Sequence, residues 1–148
     1  MKPVWIIDDD RSIRWVLEKA LEREKILFKS FASADEALVE RSAVLGTKLT
    51  ARLNTIRHRC PSIVDVRGPG SMVAAEWVDP ATRAPSADLA RTVQQAALAR
   101  GLLLLTCGQH GNVIRFLYPL TIPDTQFDQA LSILDESVAQ ATAIRAAA

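Results

Sequence analysis

Cysteine is scarce in this chain: Cys60 and Cys107 stand alone, far apart and outside any CxxC pair. That excludes a disulfide framework and leaves reduced thiols as the expectation. No apolar run approaches the roughly 18 residues that cross a membrane, and the start from Met1 to Ile7 is too short for a signal peptide. A cytoplasmic setting is expected. Neither sign of charge is in excess, because 18 Lys and Arg stand against 17 Asp and Glu for a net charge of +1. Nucleic acid, an anionic membrane and an acidic partner therefore find no general electrostatic handle. The chain shows no internal repeat, no Gly-rich nucleotide loop and no Ser/His/Asp nucleophile set, and no lysine follows Lys48.

What is present suffices for a core. With 49% apolar and 24% charged residues over 148 positions, the composition is that of one globular domain of ordinary size. Val4 to Ile7 are all apolar, the pattern of a parallel strand buried on both faces, and the run breaks into Asp8, Asp9 and Asp10. From Ser12 a helical pattern of Ile13, Val16, Leu17, Ala20 and Leu21 predicts one buried face, with Asp10 as its cap. Ile26 to Phe31 then reads as a second strand, completing a right-handed parallel crossover.

The longest predicted element runs from Ser33 to Cys60. Ser33 and Glu36 form a capping box, and Ala34, Leu38, Leu45, Leu49, Leu53, Ile56 and Cys60 form the stripe to be buried before Pro61 stops the helix. Gly46 falls in its interior, where alanine would ordinarily be preferred. Ser62 to Arg67 and Met72 to Val78 read as the arms of a hairpin turning at Gly68, Pro69 and Gly70, which makes Asp65 a strand residue. Ser86 caps a helix with a stripe of Leu89, Val93, Ala96 and Ala97, with Leu98 as an optional member, ended by Gly101. Strands are expected at Leu102 to Leu105 and Val113 to Tyr118. A last helix from about Thr121 and Pro123 presents Phe127, Leu131, Leu134 and Val138, followed by a weakly structured alanine-rich tail.

Two resemblances divide the chain near Glu40 and Arg41. The run VWIIDDDRSIRWVLEKAL, continuing through FKSFASADEAL, resembles the opening of a response-regulator receiver domain of the nitrogen-regulation (NtrC) type over about residues 1 to 40. By motif position the resemblance implies that Asp9 and Asp10 are Mg²⁺ ligands, hard oxygen donors suited to that ion. A receiver also needs an acceptor aspartate, a Ser or Thr and a Lys-Pro on later strands, which are not found. The metal role is thus vestigial and weak, and the acidic trio reads first as a cluster favoured by a helix N-terminus.

VDVRGPGSMVAAEW, ARGLLLLTCG and GNVIRFLYPLTIPDTQFDQAL resemble the C-terminal small domain of class III pyridoxal-phosphate aminotransferases, most like the 4-aminobutyrate aminotransferases, over about residues 41 to 148. The resemblance implies that Arg115 binds a substrate carboxylate, a bidentate partner for guanidinium. It also implies a Schiff-base lysine, an acid on the pyridine nitrogen and a phosphate cup, all supplied by a large domain not found in these residues. Arg115 reads otherwise as an ordinary strand arginine.

His58, Cys60, Cys107 and His110 have the donor types for zinc but not a zinc-finger spacing. The expectation is an α/β single composite domain over residues 1 to 148, with helices on a mixed parallel and antiparallel sheet. It is expected to be an engineered or recombined chimera without enzymatic or signalling function and without a cofactor, a test of folding from two families. Alternatives are weak binding of Mg²⁺ at Asp9 and Asp10 or of a carboxylate at Arg115, or self-association through a small-domain surface left uncovered. No specific partner, nucleic acid or membrane is expected.

Overall fold

The computed structural model describes residues 3 to 146. The chain forms two compact units, one through Ser42 and one from Ala43 onward, so the division falls two residues from the change of sequence style. The expected α/β class is found, with parallel and antiparallel pairing both present. They occupy two separate sheets and not one mixed sheet.

In the first unit, β1 (Val4–Ile7) pairs in parallel with β2 (Phe28–Phe31) across α1 (Arg11–Arg23). Asp10 caps α1, its carboxylate accepting from the amides of Ser12 at 2.7 Å and Ile13 at 3.3 Å. The helix closes with the paired bonds of a Schellman turn, Ile26 N–H to Leu21 O and Lys25 N–H to Glu22 O, and Lys25 takes a left-handed φ of 55°. The predicted burial is not found. Only Ile6 of β1 is buried, and α1 buries no residue at all. A two-stranded sheet offers too little surface to cover both faces of a strand or the apolar face of a helix.

The predicted long helix exists as α2 (Ala34–Arg59), unbroken from one unit into the other. Ser33 Oγ accepts from the Glu36 amide at 3.2 Å, and Glu36 reaches back to the Ala32 amide at 2.7 Å. Its stripe holds from Leu45 through Leu49, Leu53 and Ile56 to Cys60 at the helix end, all buried. Towards the N-terminus it fails, because Ala34 and Leu38 are exposed and Ala37 is buried instead.

The second unit is an antiparallel sheet in the order β3-β4-β6-β5, built from β3 (Ile63–Arg67), β4 (Ala74–Trp77), β5 (Leu105–Cys107) and β6 (Val113–Arg115). Strand β5 is shifted towards the C-terminus of the predicted run, leaving Leu102 to Leu104 outside it. The flanking helices are α3 (Ala87–Leu98), capped by Ser86 and closed by Gly101 at φ 85°, and α4 (Asp124–Ala146). Residues 139 to 146, expected as a weak tail, continue α4; Ala147 and Ala148 lie outside the described residues. One core unites Leu45, Leu49 and Leu53 of α2 with Ala75, Trp77 and Ile114 of the sheet, Val93 and Ala97 of α3, and Phe127, Leu131 and Leu134 of α4.

Candidate carboxylate-binding face

One face of the second unit's sheet packs against the helices of that unit. Ala75 and Ile114 are paired across β4 and β6, both fully buried, and point into the helical layer. Alternation then sends their neighbours Ala74, Glu76 and Arg115 to the other face. Register extends this face over β3 and β5: Leu105, Arg115, Ala74 and Arg67 form one row, and Cys107, Val113, Glu76 and Asp65 form the next.

Charge on this face is unevenly satisfied. The Arg67 guanidinium donates to Asp65 at 2.6 Å and to Glu76 at 2.8 Å. Donation of hydrogen bonds first to Asp65 and then to Glu76 raises the Arg67 pKa above its ordinary value. The Asn112 amide adds a contact to the other Glu76 oxygen at 3.5 Å, held in place by its 2.9 Å bond to the Trp77 carbonyl. Arg115 is exposed, and among the described residues its side chain has no hydrogen bond or ion pair. Arg67 and Glu76 were not singled out in the sequence. Their signal is the i, i+2 placement of opposite charge in one hairpin arm, Asp65 with Arg67, and the lone charge of Glu76 in the other.

The other candidates are used differently. Asp10 is engaged as a helix cap, which lowers its pKa through the Ser12 and then the Ile13 amide, and the Asp8 carboxylate accepts from the Asp10 amide at 2.8 Å. Asp9 lies between them in the bend that follows β1. Among the described residues no group of three or more His, Cys, Asp or Glu converges as a metal site, so His58, Cys60, Cys107 and His110 do not assemble one. Cys60 is buried, and burial pushes its thiol pKa up, away from a thiolate ligand. Among the described residues no helix is long and apolar enough to cross a membrane.

Comparison with known proteins assigns this architecture. The family described as aminotransferase class-III matches residues 27 to 138. The chain belongs to that family. The 5-aminovalerate aminotransferase DavT of Pseudomonas putida is 43% identical over 106 residues, covering 72% of this chain and 25% of the relative. The 4-aminobutyrate aminotransferase of Mycobacterium bovis is 41% identical over 99 residues, covering 67% and 22%. In fold, the chain resembles an Arthrobacter phospholyase solved with phosphoethanolamine, with a TM-score of 0.65 at 23% identity over 84% of this chain and 27% of that one. The chain thus spans about a quarter of the length of the curated relatives that it matches. The family match begins inside the stretch read as receiver-like, and the family and relatives named above are aminotransferases, with no receiver domain among them.

Within the matched residues the lysines are Lys29 and Lys48, and each is committed to a carboxylate, Glu40 and Asp128 respectively. Lys48 also belongs to the helical layer, on the far side of the sheet from Arg115. These residues do not fit pyridoxal phosphate, which needs a lysine free to bond it covalently beside the substrate site.

Proposed function

We propose that the chain is a recombined chimera without transaminase activity of its own, whose remaining chemistry is weak recognition of a carboxylate by Arg115. The observation that carries this reading is an exposed arginine without an ion pair among the described residues, two strands from an arginine held by two carboxylates. A guanidinium in that state offers a planar pair of donors to a carboxylate at little rearrangement. The names of the two curated relatives specify substrates with an amine at one end and a carboxylate at the other. A short carboxylate of that kind is the ligand class expected here.

Support for the chimeric part comes from the first unit. Its parallel β1–α1–β2 crossover with acids after β1 is how a receiver domain opens, and residues 1 to 26 precede the family match. Titration with glutarate followed by NMR tests the binding. Saturable shifts at Arg115, lost in Arg115→Gln, are expected, while pyridoxal phosphate gives no specific visible band and no turnover of 4-aminobutyrate or 5-aminovalerate. Turnover by the 148-residue chain would overturn the reading.

A further inference from the structure

Glu76 sits diagonally between two arginines on the same open face. It is directly opposite Asp65 on β3 and Val113 on β6, so Arg67 and Arg115 are each one step off its row, on either side. Diagonal neighbours of this kind have Cα atoms about 7–8 Å apart, within reach of long side chains. Glu76 therefore has two cations to choose from. It takes Arg67, at 2.8 Å, and leaves Arg115 without an ion pair among the described residues.

The reason lies on the β3 side. Asp65 directly opposite Glu76 is a like-charge pair, unfavourable unless a cation lies between the two carboxylates. Arg67 supplies that cation to both at once. Moving Glu76 to Arg115 would break its bond to Arg67 and its contact with Asn112.

We infer that Arg67 is a positioning residue for the carboxylate site: by holding Glu76 beside Asp65 it keeps an internal carboxylate from occupying Arg115. The inference deepens the reading of Arg115 as the carboxylate-binding group and rests on it. It commits the ligand to be an anion able to approach an open sheet face, in competition with Glu76. Removing the Arg67 charge frees Glu76 to turn across the sheet, where it acts as a tethered inhibitor.

The test uses the full chain, ¹⁵N-labelled to observe arginine Nε–H signals, with glutarate as the probe at low salt. In Arg67→Gln, glutarate affinity falls about two- to fivefold, the range for an exposed ion pair that must be displaced. Adding Glu76→Gln to that variant restores wild-type affinity, which a general loss of structure would not do. Without glutarate, the Arg115 Nε–H signal moves in Arg67→Gln and returns in the double variant. Unchanged affinity and an unmoved Arg115 signal in Arg67→Gln would overturn the inference, as would a double variant as weak as the single one. If glutarate acts equally on wild type and Arg115→Gln, the reading of Arg115 fails, while the ligand-free Arg115 signal still reports whether Glu76 has moved. Should Arg67→Gln not fold, Arg67→Lys takes its place, since one ammonium cannot hold two carboxylates as a guanidinium does. The Arg115 signal then shifts in the same direction, and no shift overturns the inference.

Discussion

Helices α1 and α3 have 13 and 12 residues, each starts at a side-chain cap, and each is amphipathic in sequence. Yet α3 buries Leu89, Ala90, Val93, Ala96 and Ala97, and α1 buries nothing. The difference lies in what each meets. Helix α3 packs on α4 and on three strands, whereas the main packing of α1 among the described residues is on the two strands of its own crossover. Patterning and capping can make a helix, but burial requires a second surface of matching area. The same lesson covers Trp15, Val16 and Leu17, which stay 43–58% exposed although they belong to an apolar stretch.

The sharpest way to break this comparison is to delete apolar atoms from both units. Leu53 is fully buried in the core of the second unit, so Leu53→Ala should destabilise it by about 2–5 kcal/mol, transfer and cavity terms together. Val16 is 57% exposed, and Val16→Ala should change stability by no more than about 0.5 kcal/mol. Urea unfolding followed by circular dichroism measures both. Equal losses would mean that α1 is buried in solution.

Next in size is Gly46, where helix propensity and packing oppose each other. Within a helix, alanine is favoured over glycine by about 0.8–1 kcal/mol. Here, however, a Cβ on Gly46 would lie 1.8 Å from the Gly70 carbonyl oxygen, part of the hairpin turn between β3 and β4. That atom is backbone and cannot rotate aside. Overpacking of this kind costs about 1–3 kcal/mol, so Gly46→Ala should lower the melting temperature despite the propensity gain. A rise would show that the turn yields.

This residue also marks how far the sequence could be read. Capping boxes, Asx caps and left-handed glycines are local, so Asp10, Ser33, Ser86 and Gly101 were each legible in their own few residues. The helical stripes of α2 beyond Leu45, of α3 and of α4 were legible because they meet one continuous core. Gly46 was misread because nothing in its neighbourhood along the chain announces Gly70. Val4 and Ile7 were misread as doubly buried because an all-apolar strand presupposes layers that β1 lacks. At the site, Arg115 was legible through its resemblance to a known strand. Its freedom was not, since that depends on Arg67 and Glu76 meeting across the register of β3 and β4.

A smaller effect is expected where the two helices end. Both α1 and α3 close with the same pair of backbone bonds, but α3 places Gly101 in the left-handed conformation and α1 places Lys25 there at φ 55°. A side chain in that region costs roughly 1–2 kcal/mol relative to glycine. Glycine returns part of this as greater freedom in the unfolded chain, so Lys25→Gly should stabilise α1 by about 1 kcal/mol or less. Slower amide exchange in the last turn of α1 would report it, with the α3 amides unchanged.

The smallest effect separates the caps themselves. Asp10 titrates and Ser86 does not, so only α1 should respond to acid. The amides of Ser12 and then Ile13 hold the Asp10 carboxyl below its ordinary value of 3.8. A depressed folded pKa means that the charged form is favoured by folding, so its contribution is present above about pH 3.8 and is lost as pH falls through the lower folded value. NMR titration should show the Ser12 and Ile13 amides moving together in that acid window, as the cap bonds at 2.7 and 3.3 Å weaken. The Leu89 amide, bonded to Ser86 Oγ at 3.3 Å, should stay still over the same range. In Asp10→Asn the cap keeps an acceptor but loses its proton equilibrium, so the Ser12 and Ile13 shifts should become independent of pH. If they still titrate, a group other than Asp10 produces the signal, and the assignment of the α1 cap to Asp10 fails.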